Sequence, residues 1–387
     1  MTIQSKLIGT TLVFVAAAAS VQAAPTVSVS TFATGTAAGV NATGPDSITT
    51  GDASVWVEYG NGAVSTGGTG DSTIVQYSPG GVVQHVYSIP GLVDGLKFNP
   101  VTGMVWALQN NDGNSTLSLI NPATQTVSAP LMYASPPYVY GASSGRGYDD
   151  VAFLNGKVYL SYTNPVNPTD PVLQMLNQGN TPSGTLTTTT LLTAQQTNPA
   201  FTSSTQNPPD IDSLKSTPSG QLVLTTEGDA GLAPPQDGRF TLISNPGTAP
   251  TVTNVRVNNA GGTNVTGMDD VLFPGATAGT LYVAATSNNT VYALHLTGLD
   301  PNTAIVTLGG FDEVALVNPT TGVVGTPLLS GLSGLHGLDF VPAAASAPEP
   351  STWPMLLLGL GGLAVATAAR PHRDRGLVPR HRELTSG

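Results

Sequence analysis

Residues 46 to 341 follow a repeated pattern, and this repetition restricts the fold more than any other feature of the chain. Each unit begins with an Asp and alternating apolar residues, passes through a Gly turn into a strand, and ends with an Asn or Gly turn and another strand. The clearest units begin at Asp46, Asp94, Asp149, Asp210 and Asp269, which lie 48, 55, 61 and 59 residues apart. A shorter copy, residues 334 to 341, ends the series.

Four short strands in about 50 residues is the period of a β-propeller blade. Helix formers are scarce, because the chain holds 45 Gly and 31 Pro and only 9% of its residues are charged. We therefore predict an all-β fold, a β-propeller with six blades as the favoured number. Five or seven blades stay open, as do a pair of β-sandwiches and a solenoid. In its length and strand pattern, the repeat resembles the blades of NHL-like and SMP-30/gluconolactonase-like propellers.

The end of the repeat series is less regular than its middle. The run from Asp269 to Phe273 predicts an inner strand that continues into the strand at Gly279 within one blade. Residues 303 to 329 then predict three outer strands without an inner strand of their own. We predict that residues 334 to 341 either supply that inner strand or pair with the N-terminal strand around 26 to 32.

The N-terminal residues 1–23 have the three parts of a secretory signal peptide. Lys6 precedes an apolar stretch from Leu7 to Ala19, and Val21-Gln22-Ala23 is a small-residue cleavage site. The pattern predicts export, with a mature chain that begins at Ala24. It leaves residues 24–345 as the predicted propeller domain.

The C-terminal region joins Pro348-Glu349-Pro350 to an uncharged run from Trp353 to Ala369 and then to a cluster of arginines. The run is long enough for one short transmembrane helix, and the arginines place its far end in the cytoplasm. A buried core helix is the alternative. The order of the three parts resembles the PEP-CTERM sorting signal of Gram-negative bacteria. That resemblance implies a sorting domain at 346–375 and processing by an exosortase-type transpeptidase near Pro-Glu-Pro. The basic tail at 376–387, which we predict to be cytoplasmic, departs from the family pattern, in which chains usually stop just after the arginines.

Charge and cysteine content exclude several classes of function. Between residues 25 and 346 there are six basic and 20 acidic residues, a net charge of −14, so we expect no nucleic-acid partner. The chain has no cysteine, which excludes disulfides, thiol catalysis and cysteine-ligated metals.

Acidic residues gather where the inner strands are predicted to begin. In a propeller these strands line the central channel, so their first residues surround one mouth of it. Clustered carboxylates favour a hard cation, and we predict a Ca²⁺ site there. The alternative is that each Asp closes a turn by accepting a backbone N–H bond. The predicted ligands are Asp149, Asp150, Asp210, Asp212, Asp269 and Asp270.

These features favour an exported, surface-displayed, non-catalytic propeller of the envelope or biofilm matrix that binds an extracellular polysaccharide or protein. An inner-membrane intermediate, anchored by the C-terminal helix, precedes the cell surface or extracellular matrix. The alternative function is a metal-dependent hydrolase of the SMP-30/lactonase type with a Ca²⁺ site in its channel. Against it, no Glu-Asn-Asp ligand set can be matched residue by residue, because Glu58 and Glu227 lie in second strands.

Overall fold

A computed structural model describes residues 24–134, 146–199, 201, 211–228, 238–247 and 249–344. The strands of blades 1 to 4 follow one another along the chain. Blade 1 contains β2 (Pro45–Gly51), β3 (Ser54–Tyr59), β4 (Asp71–Tyr77) and β5 (Val83–Pro90), and β1 (Thr26–Thr34) precedes it. Blade 2 contains β6 (Val93–Asn99), β7 (Met104–Gln109) and β8 (Thr116–Asn121), with β9 (Thr126–Val127) and β10 (Leu131–Met132) along the outer side of β8.

Blade 3 contains β11 (Tyr148–Leu154), β12 (Lys157–Tyr162), β13 (Pro171–Leu176) and β14 (Thr188–Thr193). The helix α1 (Ala194–Thr197) follows it. Blade 4 contains β15 (Ile211–Ser216), β16 (Leu222–Thr226), β17 (Arg239–Ser244) and β18 (Thr251–Arg256).

The last seven strands, together with β1, form blades 5 and 6. They are β19 (Val271–Leu272), β20 (Ala278–Ala285), β21 (Thr290–Thr297), β22 (Ala304–Leu308), β23 (Glu313–Val317), β24 (Val324–Ser330) and β25 (Leu335–Pro342). Two 3₁₀ turns, Thr286–Asn288 and Gly309–Phe311, connect β20 to β21 and β22 to β23.

The innermost strands of the six sheets contact one another in a closed circle. From blade 1 to blade 6 they are β2, β6, β11, β15, β19 and β25, and β25 packs against β2 again. Within each sheet the strands pair antiparallel from the centre outwards. The predicted all-β, six-bladed propeller is therefore confirmed, and a solenoid or a pair of sandwiches is excluded.

The predicted strand order of blades 5 and 6 was wrong, because the two strands that follow β19 in the chain belong to blade 6. We call this arrangement the strand exchange. The inner strand β19 pairs with β22, whereas β20 and β21 belong to blade 6, in the order β25-β20-β21-β1. The three outer strands at 304–330 therefore take their inner strand from residues 271–272. The N-terminal β1 closes the ring by pairing with β21, from Thr26 opposite Thr297 to Thr34 opposite Thr290.

The two faces of the propeller differ in their connections. Each inner strand begins on one face, which we call the ring face, and its hairpin turn lies on the other, the turn face. Turns on the turn face are mostly tight: Asp52 and Ala53 both have positive φ, as do Asn155 and Gly156, which suits two-residue hairpins. Longer connections, such as 35–44, 60–70 and 163–170, lie on the ring face. In scaffolds of this kind, binding residues concentrate among such loops.

The hydrophobic core lies between neighbouring blades. One cluster packs Trp56, Ile74 and Ile89 of blade 1 against Leu96 and Val105 of blade 2. Because the two faces of each sheet are covered by the blades on either side, second strands such as β3 are buried throughout. This packing holds the inner strands, and the side chains at their ends, at set positions around the channel.

In the part of the chain that the structure describes, no helix is long and apolar enough to cross a membrane. The predicted signal peptide, the Pro348-Glu349-Pro350 motif and the predicted helix at 353–369 lie outside the described residues.

Candidate functional site

Six side chains, one from the start of each inner strand, surround the channel mouth on the ring face. Each is followed by Ser, Gly or Asp and then by an apolar residue, as in Asp46-Ser47-Ile48. All six line a cavity of about 250 Å³. We call them the ring residues: Asp46, Asp94, Asp149, Asp212, Asp269 and His336.

Irregular strand pairing accompanies the ring residues. The register between first and second strands shifts between Pro45 and Ile48 in blade 1, and between Tyr148 and Val151 in blade 3. Similar shifts occur at the ring residues of blades 2, 4 and 6. A bulge bends the strand and redirects a side chain, which explains how these residues reach the channel.

The ring residues form two groups of three. Asp94, Asp149 and Asp212 come from blades 2, 3 and 4, and one oxygen of each lies within 4.8 Å of the others. Asp46, Asp269 and His336 come from blades 1, 5 and 6 and meet the same limit. We call the first the carboxylate triad and the second the histidine triad.

The histidine triad contains its own positive charge. Nδ1 of His336 lies 2.9 Å from Oδ1 of Asp269 and 3.4 Å from Oδ1 of Asp46. The charges of Asp269 and Asp46 raise the pKa of His336 to about 11, against the opposing effect of burial. The imidazole is therefore protonated at neutral pH. Burial raises the pKa of Asp46 to about 7, against the effect of His336, so this carboxyl group is only partly charged there.

In the carboxylate triad, burial and the repulsion between the carboxylates both disfavour the charged forms. Burial raises the pKa of Asp149 well above its ordinary value, and the charges of Asp94, Asp212 and Asp150 act in the same direction. Burial also raises the pKa of Asp94, and a hydrogen bond from Asp149 partly offsets this effect. Nδ2 of Asn111 lies 3.5 Å from Oδ1 of Asp149. Three carboxyl groups this close must share protons or bind a cation.

Three further aspartates join neighbouring blades. The carboxylate of Asp150 accepts bonds from its neighbour Val151 N–H and, at 3.0 Å, from Leu214 N–H of the next blade. Asp270 repeats this arrangement with Val271 and Leu338, and Asp339 repeats it with Phe340 and Thr50. We call these three residues the blade clamps.

The clamps also hold two lysines inside the channel. Nζ of Lys215 donates to the carboxylate of Asp270 and to the carbonyl of Leu338. Nζ of Lys97 lies 3.8 Å from Oδ2 of Asp150. Because the clamp carboxylates face both backbone N–H groups and ammonium groups, their negative charge is compensated within the protein.

The predicted calcium ligands thus fall into two groups, the ring residues and the blade clamps. Asp149, Asp212 and Asp269 lie in the ring, where the structure brings Asp149 and Asp212 together with Asp94. Asp150 and Asp270 direct their carboxylates between blades, and Asp210 lies outside the described residues.

Asp46, Asp94 and His336 are ring residues that were not among the predicted ligands. Aligning the six units on the position before the small residue and the apolar residue would have found all three. The same alignment selects Asp212, rather than Asp210, for blade 4.

Comparisons with known proteins identify one motif and a fold. Residues 346–373 match the PEP-CTERM protein-sorting motif, which confirms the predicted resemblance. No curated protein sequence matches the chain.

Several solved structures are similar to this chain at low identity. Virginiamycin B lyase from Staphylococcus aureus is 9% identical, with a TM-score of 0.41, over 84% of this chain and 90% of that chain. A periplasmic gluconolactonase of Pseudomonas aeruginosa is 11% identical, with a TM-score of 0.42, over 78% of this chain and 89% of that chain. For hydrazine synthase of Kuenenia stuttgartiensis, also at a TM-score of 0.42, the match spans only 64% of that protein's chain. The sorting motif indicates an exported protein that is sorted by an exosortase, and its described body is a six-bladed β-propeller.

Proposed function

We propose that this protein is a non-catalytic, surface-displayed propeller that binds an extracellular polymer or protein through its ring face, with Ca²⁺ bound in the ring. The observation that carries the proposal is the convergence of the carboxylate triad at the channel mouth, on the face with the longer loops. The sorting motif supports it, because an exported and sorted protein meets polymers and proteins outside the cell.

The donor set of the carboxylate triad fits a calcium ion. Ca²⁺ prefers six to eight oxygen ligands, and it takes them from carboxylates, amide oxygens and water. Asp94, Asp149 and Asp212 would supply carboxylate oxygens, and the amide of Asn111 lies beside Asp149. The histidine triad suits a divalent cation less well, since the imidazolium of His336 already occupies it with positive charge. We therefore narrow the predicted ligands to the carboxylate triad.

A binding role also agrees with the state of the basic groups in the channel. A general base must be free to accept a proton at the working pH. The imidazole of His336 is protonated between two carboxylates, and the ammonium of Lys215 is bonded to Asp270. Such groups are suited to holding a ligand by donated hydrogen bonds.

A metal-dependent hydrolase of the lactonase type is the second candidate. It is favoured by one observation, the imidazolium of His336 lining the same cavity as the carboxylate triad, where it can donate a proton to a leaving group. Hydrolysis of simple lactones that requires both Ca²⁺ and His336 would favour this candidate over the non-catalytic one.

We expect CaCl₂ to raise the melting temperature of the protein by several degrees relative to EDTA. A ligand at 100 times its Kd stabilises a fold by about 2.7 kcal/mol, and extracellular Ca²⁺ sites have Kd values of about 10⁻⁴ to 10⁻³ M. Thermal melts in EDTA and in about 10 mM CaCl₂ measure this difference.

Asp149→Asn should remove most of the calcium effect, because it takes one charge from the carboxylate triad. Asp300→Asn is the matched control, since its carboxylate only accepts the N–H bond of Asn302 in an exposed turn on the turn face. Equal melting temperatures with and without calcium would contradict the proposed site and leave the ring aspartates as turn-closing residues.

We expect the protein released from its native host to begin near Ala24 and to lack the segment after Pro348-Glu349-Pro350. This follows from the proposed boundaries: a signal peptide at 1–23, a propeller at 24–345, a sorting signal at 346–375 and a cytoplasmic tail at 376–387. Intact-mass measurement tests it. Alanines at 348–350 should leave the chain in the inner membrane, and a released species that still carries residues 353–387 would refute transpeptidase processing.

A further inference from the structure

A second cavity, of about 450 Å³, opens beside the ring on the same face. It lies where the ends of blades 4, 5 and 6 meet, and it shares Glu227, Asp269 and His336 with the ring cavity. Five of its ten lining residues are glycines: Gly228, Gly267, Gly309, Gly310 and Gly334. We call this cavity the glycine cleft.

The glycines are there because backbone packs directly on backbone. Gly309 N–H donates to the carbonyl of Gly267 at 2.6 Å, and Gly267 N–H donates to the carbonyl of Gly228. A Cβ at Gly310 would lie 2.8 Å from the carbonyl oxygen of Thr266. The resulting wall has few side chains, so a ligand can approach the main chain closely.

The inner end of the cleft combines hydrogen-bond acceptors with donors. The carboxylates of Asp269 and Glu227 accept hydrogen bonds, whereas the imidazolium of His336 has an N–H on each ring nitrogen, of which Nδ1 faces Asp269. Phe311, which follows the lining residue Gly310 in the chain, is 42% exposed.

These features together describe a ligand. Hydroxyl groups both donate and accept, so a polyhydroxylated molecule satisfies carboxylates and an imidazolium side by side. An anionic group would be repelled by the carboxylates of Asp269 and Glu227 and by a body of net charge −14. An exposed aromatic ring suits the apolar C–H face of a flat ligand, as exposed apolar groups at grooves commonly do.

We propose that the glycine cleft binds a neutral hexose unit of an extracellular polysaccharide, with its hydroxyl groups toward Asp269 and His336 and its ring near Phe311. This inference rests on the proposed function, since it assigns the ligand of the ring face to the polysaccharide class and places it beside the carboxylate triad.

Calorimetric titration of the full chain, held in a sugar-free zwitterionic detergent with EDTA, tests the assignment. The probes are cellohexaose, laminarihexaose and maltohexaose, with hexagalacturonate as the anionic comparison. At least one neutral hexaose should bind, and hexagalacturonate should bind at least tenfold more weakly. Tighter binding of the anionic sugar, or binding of no neutral hexaose, would overturn the inference.

Two variants place the binding in the cleft. Gly309→Leu should weaken binding at least tenfold, because Gly309 lines the cleft and a leucine there would occupy part of it. The fold has room for the substitution, since a Cβ would lie 3.4 Å from the carbonyl oxygen of Gly267 and 4.0 Å from that of Leu335. Phe311→Ala should weaken binding several-fold, and it keeps the test valid if Gly309→Leu fails to fold. Gly80→Leu is the matched control, since Gly80 also has room for a side chain but lies in the turn between β4 and β5 on the turn face.

A parallel experiment with the purified extracellular polysaccharide of the host separates this inference from the proposed function. Binding by the parent that Gly309→Leu and Phe311→Ala leave unchanged would overturn the cleft assignment and retain a polymer-binding ring face. Loss of binding in both variants but not in Gly80→Leu would support both.

Discussion

Asp270→Ala is expected to destabilise the propeller by about 3–5 kcal/mol, the usual effect of removing one partner from a buried ion pair. The side chain of Asp270 is almost fully buried, and its carboxylate accepts bonds from Val271 N–H at 2.7 Å and Leu338 N–H at 2.6 Å. It also pairs with Lys215, whose ammonium group would be left buried without this partner. Urea unfolding, followed by tryptophan fluorescence in EDTA, measures the loss.

Asp300→Ala is the control. It should lower the free energy of unfolding by less than about 1 kcal/mol, because the carboxylate of Asp300 accepts only a hydrogen bond in an exposed turn. The comparison also tests the original prediction that Asp270 is a calcium ligand. A blade clamp stabilises the fold with or without calcium, so Asp270→Ala should lower the free energy of unfolding equally in EDTA and in CaCl₂. A loss seen only in CaCl₂ would make Asp270 a calcium ligand instead.

Deleting residues 269–298 is expected to abolish the cooperative unfolding transition altogether. The deletion removes β19, the inner strand of blade 5, and also β20 and β21, the two middle strands of blade 6. It therefore opens the ring at two adjacent blades and leaves β1 and β25 without partners. Circular dichroism and heat-capacity scans would show whether any cooperative transition remains.

Excising residues 180–183 from the turn-face loop between β13 and β14 is the matched control. These four residues lie outside every strand, so the cooperative transition should persist with a small shift. A 269–298 deletion that melted like the parent would contradict the strand exchange, because blade 5 would then have to be complete without β19.

The inner strands could be predicted because their pattern is local. An Asp, a small residue and alternating apolar residues recur once per blade, and a strand with one end at the channel requires that order. The exchange between blades 5 and 6 could not be predicted in the same way. β20 and β22 are both apolar strands that follow β19, and β19 is only two residues long. Packing with β25 and β1 decides which of the two strands pairs with β19.

The Asp-Asp pairs show a second limit of sequence reasoning. Asp149 and Asp150 are adjacent, and successive side chains on a strand point to opposite faces. The bulge at this point lets Asp149 reach the channel while Asp150 turns toward blade 4 and bonds Leu214 N–H. Composition indicated a concentration of carboxylates, but the division into ring residues and blade clamps depends on how the bulge orients each side chain, which the carboxylate count does not give.

The strand order of blade 6 joins the two ends of the propeller domain. β1 is its first strand, yet Ser30 of β1 bonds the carbonyl of Ala293, 263 residues later. The circle of inner strands closes only with β25, which ends at Pro342, and the sorting motif begins at residue 346. A chain truncated before β25 keeps unpaired strand edges, which favour aggregation and proteolysis. Such a truncation removes both the closure of the fold and the sorting motif, so we expect truncated molecules to be neither stable nor sorted.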